Sequence, residues 1–185
     1  EILDDVPGAL WTRAIIDANR IHSAVDMQRI VVAVDPAVTS NQDSDETGII
    51  VAGLAANGHG YILEDCTIKG TPSEWARAAL SAYHKYNAST IIAEVNNGGD
   101  MIAHTIHTES PNVAVKQVRA SRGKHTRAEP VSALYEHGKV HHLGLFPELE
   151  DQLCTWTPGD NSPDRLDAAV WAITELMLGT QWRVS

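Results

Sequence analysis

The stretch Arg29-Ile-Val-Val-Ala-Val-Asp-Pro36 decides the fold class. An unbroken apolar run of this length is typical of a β-strand that is buried on both faces, as strands inside an α/β domain are. The run ends at Asp35-Pro36, where the backbone leaves the core and a polar loop follows. We therefore start from a central strand that delivers an acidic side chain to one edge of a sheet.

The segments that follow predict a mixed sheet. Gly48 to Ala56 and Gly60 to Ile68 are predicted strands, and Asn57-Gly58-His59 between them is a strong hairpin signal. Two short apolar strands are predicted further along, at residues 90–95 and 113–118. Helices are predicted around them, at residues 72–86, 100–108, 126–137, 147–156 and 163–178. The predicted class is α/β, with a central mixed sheet of five to six strands, an antiparallel meander followed by parallel strands, and helices on both faces.

One helix has explicit start and stop signals. Thr126 and Glu129 have the spacing of a capping box, and Gly138 is placed to end the helix. At the start of the chain, residues 1–28 are interpreted as a lead-in outside the core, with a short amphipathic helix. Residues 29–180 are the predicted domain, and residues 181–185 are a tail. Because the first residue is Glu1, we expect the chain to be part of a longer protein.

The charge distribution restricts the function. The net charge of −10 argues against a free-standing nucleic-acid binder, because phosphate contacts need Lys and Arg. The segment between Lys116 and His142, however, contains six basic residues and only two acidic ones. Such a basic segment would suit a nuclease whose other domains supply most of the contacts to the nucleic acid. No apolar run reaches membrane-spanning length, and two cysteines 88 positions apart predict neither a disulfide framework nor a metal site.

Three acids stand out by their positions. Asp35 ends the first strand, Glu94 ends the strand after the first long helix, and Asp167 lies near the start of the last helix. A right-handed crossover would put the first two at neighbouring carboxyl ends, where open α/β sheets bind ligands. Gathered carboxylates repel each other, and a divalent cation removes that repulsion. Oxygen-only ligands favour Mg²⁺ or Mn²⁺, and two such ions can support phosphodiester hydrolysis.

Each acid also has a structural interpretation. Asp35 before Pro36 could form an Asx turn, Glu94 could cap a loop, and Asp167 could complement a helix dipole. The chemical interpretation depends on all three lying together. Asp164, one turn before Asp167, is a fourth candidate, although an acid at a helix start is the simpler interpretation.

A family resemblance rests on many segments in the same order. The sequence resembles the RNase H-like nuclease domain of the large terminase subunit, the DNA-packaging motor of tailed bacteriophages and related prophages. The resemblance covers roughly residues 30 to 178. The matching segments include Val34-Asp-Pro-Ala37, Ala93-Glu-Val-Asn-Asn-Gly-Gly-Asp-Met101, Arg127-Ala-Glu-Pro130, Phe146-Pro-Glu-Leu-Glu-Asp-Gln152 and Ser162-Pro-Asp-Arg-Leu-Asp-Ala-Ala-Val-Trp171.

The resemblance implies a metal-dependent endonuclease that cuts concatemeric double-stranded DNA during packaging. Asp35, Glu94 and Asp167 would be the catalytic, metal-binding triad, although many relatives carry Asp where this chain has Glu94. An ATPase domain of the same parent chain, a portal protein and a small terminase subunit are the implied partners, in the cytoplasm of a bacterial host. The residues expected to contact DNA form a basic loop: Arg119, Arg122, Lys124 and Arg127.

Two other functions remain open at this point. Another RNase H-like nuclease, such as a junction resolvase or a transposase-like strand cutter, would use the same acids. A non-catalytic docking module of a packaging motor would need no metal at all. Cleavage preference separates the first alternative from a terminase nuclease, and divalent-ion binding separates the second.

Overall fold

The structure is a computed structural model that describes residues 4–36, 46–95, 101–119 and 124–179, except for the side chains of residues 124 and 125. The strands are β1 (Met27–Asp35), β2 (Glu46–Ala55), β3 (Gly60–Asp65), β4 (Ile68–Lys69), β5 (Thr90–Glu94), β6 (Val115–Val118) and β7 (Val140–His142). The helices are α1 (Arg13–Ala18), α2 (Pro72–Lys85), α3 (Met101–Glu109), α4 (Lys124–Glu136), α5 (Pro147–Thr155) and α6 (Asp164–Ile173). A π-helical turn, Thr174–Leu178, continues α6.

The strands form a mixed sheet in the order β6-β5-β1-β2-β3-β7, and the short β4 pairs with β2. β1, β2 and β3 are antiparallel, whereas β5 is parallel to β1 and β6 is parallel to β5. The RNase H-like α/β class and the antiparallel-then-parallel order are therefore confirmed. The sheet gains β7, which is parallel to β3 and was not predicted, because three residues are too few to show a period.

Alternate residues of the central strands feed two separate cores. Val31 and Ala33 pack with α1, α4, α5 and α6, whereas Val32 and Val34 pack with α2 and α3. This is the period of two that a strand covered on both faces requires. By the same alternation, Asp35 belongs to the face that carries α6. The prediction of helices on both faces is confirmed.

The interpretation of residues 1–28 as a lead-in outside the core is wrong for two of its side chains. Trp11 and Ile16 are buried, and the Trp11 ring meets the edge of Tyr135 at 5.8 Å between ring centres. α1 is also shorter than the predicted helix, because Thr12 caps it through the amide of Ile15. Burying a tryptophan removes a large apolar area from water, and this drives the segment onto α4 and α5.

A buried polar network, which we call the Glu150 network, joins this segment to α4, β7 and α5. His142 lies 2.7 Å from Glu150 through its Nδ1 and 2.8 Å from the Tyr135 hydroxyl through its Nε2. Arg20 donates to both Glu150 oxygens, at 2.7 and 2.9 Å. The polar groups of four elements thus satisfy one another inside the core, as buried polar groups must.

Two helix boundaries depend on residues that the sequence singled out. Gly138 ends α4 in the left-handed region, at φ +70, as predicted. α4 begins at Lys124, so Thr126 lies inside the helix and the predicted capping box is wrong. Local spacing is a weak signal beside tertiary packing, and Ala128, the fifth residue of the helix, is already buried.

The last helix is held at its far end by Glu175 in the π-helical turn. Glu175 accepts from Arg29 of β1 at 3.2 Å and from Lys116 of β6 at 2.8 Å. The carboxylate thus ties two strands to the end of the helix. Within the described ranges, every helix is too short or too polar to cross a bilayer.

Candidate metal centre

Three carboxylates meet at the carboxyl end of β1. Asp35 is the last residue of β1, and Glu94 is the last residue of β5, which lies beside β1 in parallel. Asp167 stands in the first turn of α6. One ligand atom from each of the three residues lies within 4.8 Å of the other two. All three residues are buried, with 3 to 4% of their surface exposed.

The strand register explains why Asp35 and Glu94 are neighbours. Val34 is aligned with Ala93 in the parallel pair, so the next residue on each strand is the acid. Because alternate side chains point to opposite faces, both acids point to the face covered by α6. Asp164 begins α6 but lies outside the triad, and among the described residues no other group of three metal-ligating side chains is found.

Helix α6 reaches the triad because β2 has a glycine at the contact. Gly48 is aligned with Asp35 in the antiparallel pair. A Cβ atom on Gly48 would lie 2.2 Å from the carbonyl oxygen of Asp164 and 2.6 Å from its carbon. Backbone therefore packs directly on backbone, and the absent side chain fixes how close Asp167 comes to the strands.

Substituting Gly48→Ala is expected to move the start of α6 and disturb the triad. Because backbone atoms cannot rotate away, we expect an overpacking loss of about 1 to 3 kcal/mol in the free energy of unfolding. We also expect weaker Mn²⁺ binding, measured by titration calorimetry. Gly53→Ala is the matched control, since the three atoms nearest to a Cβ there belong to the side chains of Met27 and Leu63, which can rotate. Unchanged Mn²⁺ affinity in Gly48→Ala would show that this contact does not set the geometry.

Two hydrogen bonds orient the acids of the triad. Ser162 Oγ donates to Asp167 Oδ2 at 2.8 Å, and Trp171 Nε1 donates to Glu94 Oε2 at 2.9 Å. The sequence analysis gave Trp171 no role of its own at the site and missed this contact. The signal was present, because Trp171 follows Asp167 by four residues and such pairs share one helix face. The tryptophan thus packs in the core and also holds the carboxylate that the neighbouring strand delivers.

Carboxylates this close need a positive partner. At 4.8 Å, two unit charges repel by about 3 kcal/mol per pair at an effective dielectric constant of about 20. The donors are oxygen atoms only, which suits a hard divalent cation of the Mg²⁺ or Mn²⁺ kind. The geometry and the donor set therefore both fit a divalent metal ion.

The four basic residues predicted to contact DNA do not form one exposed loop. Arg119 is exposed just after β6. Arg127 belongs to α4, with 11% of its side chain exposed, and its Nη2 lies 3.9 Å from Glu94 Oε1. Arg127 agrees with the helix predicted at residues 126–137, but Lys124 also belongs to α4, so the grouping of the four residues in one loop is wrong. Arg122 and the side chain of Lys124 lie outside the described residues.

Solved structures of phage terminase nucleases share this architecture. The large terminase nuclease of thermophilic phage G20c matches with a TM-score of 0.66 at 14% identity, over 91% of this chain and 98% of that chain. That nuclease is also known with bound magnesium, zinc and cobalt. The nuclease domain of the large terminase subunit gp2 of bacterial virus Sf6 matches with 0.66 at 12% identity, over 89% and 98%.

The fold also occurs outside the terminases. The family of this chain follows from a match to a family model. The yeast mitochondrial Holliday junction resolvase matches with a TM-score of 0.52 at 14% identity, over 92% of this chain and 85% of that chain. At these identities the similarity shows the fold alone. No curated protein matches the sequence. The model of the terminase RNaseH-like domain matches residues 32–176, which span the triad. The chain therefore belongs to the family of terminase RNase H-like domains.

Proposed function

We propose that this chain is a metal-dependent endonuclease that cuts concatemeric double-stranded DNA during viral genome packaging. The buried triad of Asp35, Glu94 and Asp167 carries the proposal, because three carboxylates within 4.8 Å have no evident structural use that an apolar core would not serve better. Membership in the terminase RNase H-like domain family supports the substrate and the process.

The three acids have distinct roles in this proposal. Asp35 is central, because β1 lies between β5 and β2 and its carboxylate faces both partners. Ser162 holds Asp167, and Trp171 holds Glu94, so each outer carboxylate is oriented before any ion binds. Two divalent ions bound there would supply an activated water and stabilise the leaving oxygen of an in-line displacement. Magnesium, zinc and cobalt on the phage G20c nuclease support a divalent ion as cofactor, and the oxygen-only donor set of this chain favours Mg²⁺ or Mn²⁺ among them.

The wider setting is part of the same proposal. Residues 29–180 would act as the nuclease domain of a longer chain that also holds an ATPase domain, and a portal protein and small terminase subunit would assemble with it in the host cytoplasm. Arg119 is exposed beside the sheet edge and is proposed to contact the DNA backbone, as are Arg122 and Lys124. With a net charge of −10, the isolated chain is expected to hold DNA weakly.

The test is cleavage of DNA by the purified chain. Supercoiled plasmid incubated with Mn²⁺ is expected to be nicked and linearised, and EDTA is expected to stop the reaction. The Asp167→Asn variant should be inactive under the same conditions. A parallel reaction compares linear duplex with a four-way junction. Preference for the junction would favour a resolvase, as the similarity to the yeast enzyme allows, and absence of both cleavage and ion binding would favour a docking module.

A further inference from the structure

Arg127 places a fixed positive charge beside one arm of the triad. Its guanidinium carbon lies 4.5 Å from the centre of the Trp171 ring, and its Nη2 is 3.9 Å from Glu94 Oε1. That separation is longer than a hydrogen bond, so the attraction is Coulombic. The opposite oxygen, Oε2, accepts from Trp171. Glu94 thus keeps Oε1 for a metal ion while it feels the arginine charge.

Hydrogen bonding does not account for this arrangement. Nε and Nη1 of Arg127 are buried and have no hydrogen-bond partner among the described residues. Buried charged donors without acceptors destabilise a folded protein. An ion pair that served stability would direct the guanidinium fork at both carboxylate oxygens. Here the Trp171 indole donates to one of the two oxygens, and Arg127 Nη2 approaches the other only to 3.9 Å.

We propose that Arg127 is a positioning residue that regulates ion binding at the triad. Its charge weakens the binding of divalent cations, and its stacking on Trp171 holds that charge at a fixed distance from Glu94. The inference rests on the proposed function, because it requires that the triad binds ions. The centre is thereby set to take up ions more weakly than the three carboxylates alone would.

The alternative role for Arg127 is purely structural, and it predicts the opposite change. If the arginine only held Glu94 in place, its removal would disorder a ligand and weaken ion binding. If its charge opposes the ion, its removal strengthens ion binding although a contact is lost. The direction of the change in affinity therefore separates the two roles.

The experiment is titration of Mn²⁺ into the metal-free chain by calorimetry, with circular dichroism to verify folding. Arg127→Gln and Arg127→Met are two neutral variants, so that a folding failure of one leaves the other. Both are expected to bind Mn²⁺ about tenfold more tightly than the unaltered chain, as the loss of one nearby charge predicts. Arg127→Lys keeps the charge and is expected to stay within about twofold of the unaltered chain.

The outcomes that overturn the proposal are distinct. Unchanged or weaker Mn²⁺ binding in the folded neutral variants would refute a regulating charge. A lysine variant that behaves like the neutral ones would refute it too, because the charge would then not be the agent. If the unaltered chain binds no Mn²⁺ at millimolar concentration, the proposed metal centre itself fails, whatever the variants show.

Discussion

Asp35→Asn is expected to slow Mn²⁺-dependent plasmid cleavage at least about 1000-fold, a loss of about 4 kcal/mol in transition-state stabilisation. Asp35 ends the central strand, and its carboxylate lies within 4.8 Å of both partners, so an ion held by all three would lose one of its charged ligands. An amide keeps the shape of the side chain but loses its charge. Initial rates of supercoiled plasmid loss, measured with the protein in excess over DNA, test this directly.

The stability of the same variant gives an independent readout. Without metal, Asp35→Asn is expected to be at least as stable as the unaltered chain, because repulsion within the triad falls. Mn²⁺ at 100 times its dissociation constant should raise the free energy of unfolding of the unaltered chain by about 2.7 kcal/mol, and that of the variant hardly at all. Thermal unfolding with and without Mn²⁺ measures both effects.

Asp164→Asn is the matched control for this experiment. Asp164 stands one helical turn from Asp167 but lies outside the triad, so its variant is expected to cleave DNA and respond to Mn²⁺ normally. Retained cleavage by Asp35→Asn would remove the triad from the mechanism. Loss of cleavage by Asp164→Asn would instead add a fourth residue to it.

Glu150→Gln is expected to lower the free energy of unfolding at pH 7 by about 3 to 5 kcal/mol. The change leaves the guanidinium of Arg20 and the ring of His142 without the carboxylate that both contact at 2.7 Å. Both partners are buried, so water cannot replace it. Urea unfolding followed by tryptophan fluorescence measures the loss. Glu148→Gln, on an exposed site of the same helix, should change stability little.

The Glu150 network also predicts how stability depends on pH. Burial opposes ionisation of Glu150, but hydrogen bonds from His142 and Arg20 outweigh it and lower its pKa to about 2. Since the folded pKa lies below the unfolded one, this stabilisation is present above about pH 4.5 and is lost as the pH falls towards 2. Its full size is about 3 kcal/mol.

His142 also makes the stability of the fold decrease as the pH falls, and it does so at higher pH than Glu150. Burial lowers its pKa below the ordinary value of 6.5, so the folded state prefers the neutral ring. Stability should therefore begin to fall as the pH drops below about 6.5. Urea unfolding at a series of pH values between 7 and 3 tests both steps. A Glu150→Gln variant that keeps the whole acid slope of the unaltered chain would contradict the assignment to this network.

The sequence was sufficient to predict the triad because strand ends are visible in it. Asp35 and Glu94 each follow an apolar run, and the rule for crossover handedness places those runs side by side. Asp167 was singled out as an acid near the start of the last predicted helix. What the sequence could not provide was the distance between the helix and the sheet, because that depends on Gly48, which has no side chain to signal its role.

The environment of the triad was harder to predict than its members. Trp171 and Arg127 lie 44 positions apart in the sequence, and no local pattern indicates that the ring of Trp171 lies under the guanidinium of Arg127. Their meeting requires α4 and α6 to pack together, which is a tertiary fact. The same holds for Trp11, whose burial depends on contact with Tyr135 far along the chain. The short strand β7 was not predicted because its three residues carry no periodic pattern.

Helix α6 is attached to the sheet at two distant points. Near its start the backbone of Asp164 rests on Gly48, and beyond its end Glu175 is bound by Arg29 and Lys116. A helix that is attached at both ends resists displacement away from the sheet. Calcium–oxygen bonds are about 0.3 to 0.5 Å longer than magnesium–oxygen bonds. An ion with longer bonds to oxygen would have to widen the gap between helix and sheet against both contacts, so we expect the triad to bind Ca²⁺ more weakly than Mg²⁺.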